Sequence, residues 1–138
     1  MRTAVVFFSV NKRDKLRAIA GELAKGIEEQ GFYVDVIDAN RDVNSKLTIY
    51  NYIALGTEPL SAFGGKISES IQTYLANSGI VVGKRSFAFI IGGGVRTSKT
   101  LTALMKTMEH EGMYLKYSEV INSPEDAREI GRQLHITP

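Results

Sequence analysis

Phe87-Ala88-Phe89-Ile90-Ile91-Gly92-Gly93-Gly94 is the stretch on which the fold turns. Five apolar residues follow one another without a polar interruption and run into three glycines, after which a helix-like pattern begins. A strand with one wet face alternates apolar and polar residues, whereas a strand covered on both faces has no need to. The same grammar recurs at Thr3–Ser9 (TAVVFFS) and Tyr52–Thr57 (YIALGT), each ending at a hydroxyl residue or glycine. Three such runs predict the interior of a parallel sheet. In sheets of that kind, ligands gather at the carboxyl ends of the strands.

Between these runs the period changes. Leu16, Ile19, Ala20, Leu23, Ala24 and Ile27 recur at helical spacing, which predicts an amphipathic helix about four turns long, with Gly31 just beyond its end. Phe32–Ile37 reads as a strand closing at Asp38. Residues 39–50 carry one apolar turn, so any helix there is short or missing. Ile67, Ile71, Tyr74 and Leu75 predict the next helix, ending at Ser78-Gly79. Leu101, Leu104, Met105 and Met108 predict another, ending at Gly112. Met113–Ile121 supplies a last strand. Ser123-Pro124-Glu125-Asp126 then starts a helix with a capping serine, proline at the first helical position and a carboxylate three residues after the cap.

The order βαβ(α)βαβαβα, with right-handed crossovers, predicts an α/β, three-layer doubly wound sandwich formed by residues 1–138 as a single domain. At 138 residues, with 43% hydrophobic and 23% charged content, the chain has enough material for a core without staples. The absence of cysteine excludes a disulfide framework, a thiolate metal site and a cysteine nucleophile. A net charge of +2 gives no concentrated basic stripe for nucleic acid. The apolar segment Ala4–Phe8 is too short for a signal peptide, and Lys84 and Arg85 break the run from Ile80 to Ile91 before it spans a bilayer. The expectation is a cytoplasmic protein with no membrane and no nucleic-acid partner.

Flavodoxins and phospho-receiver domains share the strand order 2-1-3-4-5 for a five-stranded parallel sheet. Receivers carry clustered acids after the first strand and an aspartate ending the third. Here those strands end at Ser9 and at Gly56-Thr57. The loops resemble those of the flavodoxin-like superfamily instead, and most nearly its NAD(P)H:quinone reductase-type members. Thr57-Glu58-Pro59 followed by Phe63-Gly64 resembles the loop along one side of a flavin ring. Ile91-Gly92-Gly93-Gly94, then Thr97 and Ser98 at a helix start and an apolar Gly112-Met113 exit, resembles the second ring-flanking loop. The resemblance implies FMN as cofactor, with Phe63 stacking on the isoalloxazine and Arg96 placing positive charge near the reduced ring; the plainer readings are a sheet-edge cover and a solvated loop residue.

The first loop departs from the family. Flavodoxins hold the FMN phosphate in a turn of the type [ST]-x-T-G-N-T, and this chain reads Ser9-Val10-Asn11-Lys12-Arg13-Asp14 with no glycine and one hydroxyl. Ser9 maps onto the pattern and Asn11 stands in for the threonine. Lys12, Arg13, Lys15 and Arg17 crowd a helix N-terminus, where each exposed cation costs roughly 0.3–1 kcal/mol unless an anion sits there. A solvated basic patch is the alternative. Glu58 is a candidate acid or base, against the plainer reading of a solvated loop carboxylate. His110 and His135 read as surface residues without metal-ligand spacing. Tyr50, Tyr52, Met105 and Met108 read as packing.

Two functions follow. The first is an FMN-binding protein that transfers electrons or reduces quinone-like acceptors, working with a small-molecule ligand or a redox partner protein. The alternative is a flavodoxin-fold domain that has lost FMN and serves as a binding or assembly module, or takes another phosphorylated small molecule. A pI near 8.9 argues against the acidic electron-carrier role. A homodimer is compatible with either function.

Overall fold

A computed structural model describes residues 1–92 and 95–136. In chain order the elements are β1 (Arg2–Phe8), α1 (Arg13–Glu28), β2 (Tyr33–Asp38), β3 (Tyr52–Thr57), α2 (Ser70–Ala76), β4 (Arg85–Ile91), α3 (Thr97–His110), β5 (Tyr114–Ile121) and α4 (Pro124–Gln133). The strands form one sheet in the order β2-β1-β3-β4-β5, and every neighbouring pair is parallel. This is the predicted doubly wound architecture.

The uninterrupted apolar runs occupy the three central strands, as covering on both faces requires. Alternate residues of those strands feed separate cores. Val5, Phe7, Tyr52, Phe87 and Phe89 pack under Leu16, Ile19 and Leu23 of α1 and Ala127 of α4. Ala4, Val6, Ile53, Leu55 and Ile90 pack on the other face, under Ile71 and Leu75 of α2 and Leu104 and Met108 of α3. The edge strands β2 and β5 are exposed or half-buried along their length, except for the buried Ile121 that ends β5.

α1 and α4 approach closely enough that a Cβ on Gly26 would strike the backbone of Arg128, and one on Gly131 the backbone of Leu23. Gln30 closes the same seam by donating to the carbonyls of Gly131 and Leu134 at 2.6 and 3.0 Å. The predicted cap of α4 is present: the Ser123 hydroxyl accepts from the Asp126 N–H at 3.2 Å. Residues 39–50 form turns rather than a helix, pinned where the Leu47 N–H donates to the Ser78 carbonyl at 2.6 Å. Ile67 precedes α2 rather than lying in it, yet packs against the same core. Among the described residues no helix is long and apolar enough to cross a membrane.

Candidate functional site

Because the register sets Phe8 beside Thr57 and Thr57 beside Ile90, the first, third and fourth strands end at nearly one level. Their exits therefore face one another. Each exit residue has found a partner inside the protein. The Thr57 hydroxyl donates to the Phe8 carbonyl at 2.6 Å, stitching two exits together. The Ser9 N–H and hydroxyl both donate to the Asn40 side-chain oxygen, at 2.8 and 3.0 Å, and the Asn40 amide returns a bond to the Ser9 carbonyl at 3.0 Å. Asn40 follows β2 and carries no sequence signal for this role beyond being an amide near a turn.

The centre of the arrangement is Glu58. It is 2% exposed, at the exit of β3, and its carboxylate reaches across to the loop between β1 and α1. Oε1 accepts the backbone N–H of Asn11 at 2.7 Å and that of Lys12 at 2.8 Å, while Oε2 lies 2.9 Å from the Lys12 nitrogen. α1 has no cap of its own, since Lys12 at the N-cap position makes no side-chain capping bond. A carboxylate on the orphan N–H groups at a helix start is favourable both as hydrogen bonding and against the helix dipole. Glu58 is therefore a remote cap for α1. It is not the solvated loop carboxylate of the plainer sequence reading.

The cations of the basic run are distributed differently from an anion cluster. Arg13 pairs with Asp38 at the end of β2. Burial opposes ionisation of Asp38, but the bond from Arg13 and the backbone N–H of Asn40 hold its carboxyl below the usual range. Lys15 reaches the Gly92 carbonyl at 3.4 Å. Lys12 and Asn11 are exposed and enter the geometry through their backbones.

The ring-flanking residues form the outer wall. Phe63 is 79% exposed, so it does not cover the sheet edge. Gly64 has φ of +69°, and a Cβ there would strike the Val95 carbonyl, so only glycine lets the loop after β3 lie against the loop after β4. The Gly65 N–H donates to the Thr100 hydroxyl at 2.7 Å, locking that contact. Arg96 is exposed and takes a left-handed conformation (φ 59°) just before α3. Gly93 and Gly94 lie outside the described residues. A cavity of about 180 Å³ opens among Asn11, Lys12, Glu58, Pro59, Ile91 and Gly92, below the roughly 300–1,000 Å³ of ordinary small-molecule sites.

The structure thus gathers Ser9, Asn11, Lys12, Arg13, Thr57, Glu58, Pro59 and Gly92 around one edge, with Phe63, Gly64 and Arg96 on its rim. The resemblance places the FMN phosphate on the loop that carries Asn11 and Lys12. Both of those N–H groups are already held by a carboxylate of the protein, so the residues present do not fit a phosphate there. Among the described residues no cluster of histidine, aspartate or glutamate is arranged to hold a metal ion. His110 is exposed beside Glu111, and His135 is exposed near the end of the chain.

No family model and no curated protein matches the sequence. Solved structures do. Flavodoxin 1 from Bacillus cereus superposes with a TM-score of 0.73 at 16% identity, covering 99% of this chain and 100% of that one. A flavodoxin of Streptococcus pneumonia TIGR4 gives 0.71 at 14% identity, with 97% of each chain covered. A flavodoxin from the domain Archaea gives 0.65 at 17% identity over 97% of this chain and 96% of that one. Identities this low carry the architecture and not the ligand: the chain has the flavodoxin-like fold.

Proposed function

We propose that this chain is a flavodoxin-fold binding module that carries no resident FMN, because its own Glu58 carboxylate occupies the place of the cofactor's phosphate. The observation that carries this reading is the bond set from Asn11 and Lys12 to Glu58. A phosphate entering the loop replaces those bonds one for one and gains nothing from the N–H groups. It also has to leave a 2% exposed carboxylate unpaired beside a dianion. Stranding a buried charge costs roughly 3 kcal/mol or more, which is about a hundredfold in affinity. Two of the four cations of the basic run are committed as well, Arg13 to Asp38 and Lys15 to the Gly92 carbonyl, while Lys12 and Arg17 stay exposed. The module works through a small-molecule ligand or a protein partner. A cytoplasmic setting, supported by the cysteine-free composition, belongs to the same proposal.

The second reading is FMN-dependent electron transfer or reduction of quinone-like acceptors, of the kind found in the quinone-reductase branch. Pro59 and the 79% exposed Phe63 favour it, since they offer an apolar surface at the strand exits where a flat ring could lie. Mixing the purified protein with tens of micromolar FMN, then separating free flavin by gel filtration, decides between the two. The protein peak is expected without flavin absorbance. A stoichiometric flavin peak that survives the column overturns the first reading and supports the second.

A further inference from the structure

A second hollow lies at the other end of the sheet, away from the strand exits. It has a volume of about 360 Å³ and runs between the start of β3, β5 and the C-terminal end of α4. That volume is within the range of sites that bury small ligands. Its inner wall is formed by Tyr52, Ile130 and Leu134, and the exposed side chains of Lys116, Tyr117 and His135 stand at the rim.

Tyr52 supplies a second, independent observation. The residue is 0% exposed, and its hydroxyl has no hydrogen-bond partner among the described residues. Buried hydroxyls are paired in the great majority of cases, because an unpaired one loses its bonds to water without replacement. Phenylalanine fills the same space without that loss, and phenylalanines already serve at Phe87 and Phe89 in the same core. A phenol retained at the wall of an open hollow, where it packs no better than phenylalanine, is poised for a ligand.

We infer that this hollow binds a compact ring compound with a hydrogen-bonding group at one end and an anionic group at the other, of the hydroxylated aromatic-acid class. The ring lies between Tyr117 and the side chains of Ile130 and Leu134. The inner polar group pairs with the Tyr52 hydroxyl, and the anion faces Lys116 and His135. The inference stands apart from the absence of FMN, since the two sites share no residue.

The test uses 4-hydroxybenzoate, benzoate and 4-hydroxybenzyl alcohol as probes, followed by amide and methyl NMR shifts of the full chain. 4-Hydroxybenzoate is expected to move Lys116, Tyr117, Ile130 and Leu134 saturably, with Kd below about 1 mM, and the other two probes to bind about tenfold more weakly. Tyr52→Phe, which keeps the packing, is expected to erase the difference between 4-hydroxybenzoate and benzoate. Lys116→Gln is expected to erase the difference between the acid and the alcohol. No saturable shift at 10 mM overturns the inference. So does a Tyr52→Phe variant that still prefers 4-hydroxybenzoate, which leaves the phenol with a water or nothing as its partner.

Discussion

Replacing Glu58 by alanine separates the roles of a cap and a ligand site. The substitution removes the acceptor of two backbone N–H groups, those of Asn11 and Lys12. Hydrogen bonds to a charged group contribute roughly 1.5–3 kcal/mol each. Asn11 and Lys12 are exposed, so water takes up part of the loss, and a missing helix cap alone costs about 0.5–2 kcal/mol. Together these give a destabilisation of about 2–3 kcal/mol. For a chain of this size the melting temperature falls by about 3–4 °C per kcal/mol, hence roughly 6–12 °C. The vacated N–H groups then become an anion site. If inorganic phosphate binds the variant with a Kd of about 1 mM, 50 mM phosphate restores about 2.3 kcal/mol by mass action. The assay is urea or thermal unfolding in phosphate and in chloride at matched ionic strength. The wild type is expected to respond equally to both salts, and Glu58→Ala to be rescued by phosphate alone. A variant that loses less than about 0.5 kcal/mol, or a wild type that gains as much from phosphate as the variant does, rules Glu58 out as the anion that caps α1.

Gly26→Ala is expected to destabilise by at least about 2 kcal/mol in urea unfolding, because its Cβ meets backbone of α4 that cannot swing aside. Gly21→Ala, on the same helix and with open space around it, serves as the control and should be neutral or slightly stabilising. Tyr50 offers a pH test. Burial, then its 2.6 Å bond to Asp35, pushes its hydroxyl up to about 12 from an ordinary 10. A raised acid adds stability that is complete below pH 10 and disappears as pH rises toward 12. Tyr50→Phe should flatten that alkaline loss, read from unfolding free energies at pH 9 to 12; an unchanged slope assigns the loss to other groups.

The fold was legible because burial on both faces leaves a mark on every residue of a strand: the runs at Thr3–Ser9, Tyr52–Thr57 and Phe87–Ile91 became β1, β3 and β4 with little change of boundary. The location of the strand exits was legible for the same reason. What fills them was not. Glu58 and Lys12 lie 46 residues apart, and no local pattern tells a solvated loop carboxylate from one that caps a distant helix. Arg13 and Asp38, and Ser9 and Asn40, are joined by the same kind of long-range pairing. The missing glycine in the first loop pointed to a changed phosphate site, and the carboxylate found on that loop's N–H groups comes from Glu58, the residue just after β3. Phe63 was expected either to stack on a ring or to cover the sheet edge, and its 79% exposure excludes the second. Tyr52 read as packing, which its ring does, while the fate of its hydroxyl depends on neighbours from β5 and α4.

Titrating FMN into wild type and Glu58→Ala side by side, by quenching of flavin fluorescence, shows whether the Glu58 carboxylate stands where a cofactor's phosphate would stand. The wild type is expected to show no saturable quenching up to about 50 µM, and the variant to bind FMN more tightly than riboflavin, which lacks the phosphate. Submicromolar FMN binding by the wild type, weakened or unchanged by the substitution, contradicts the account.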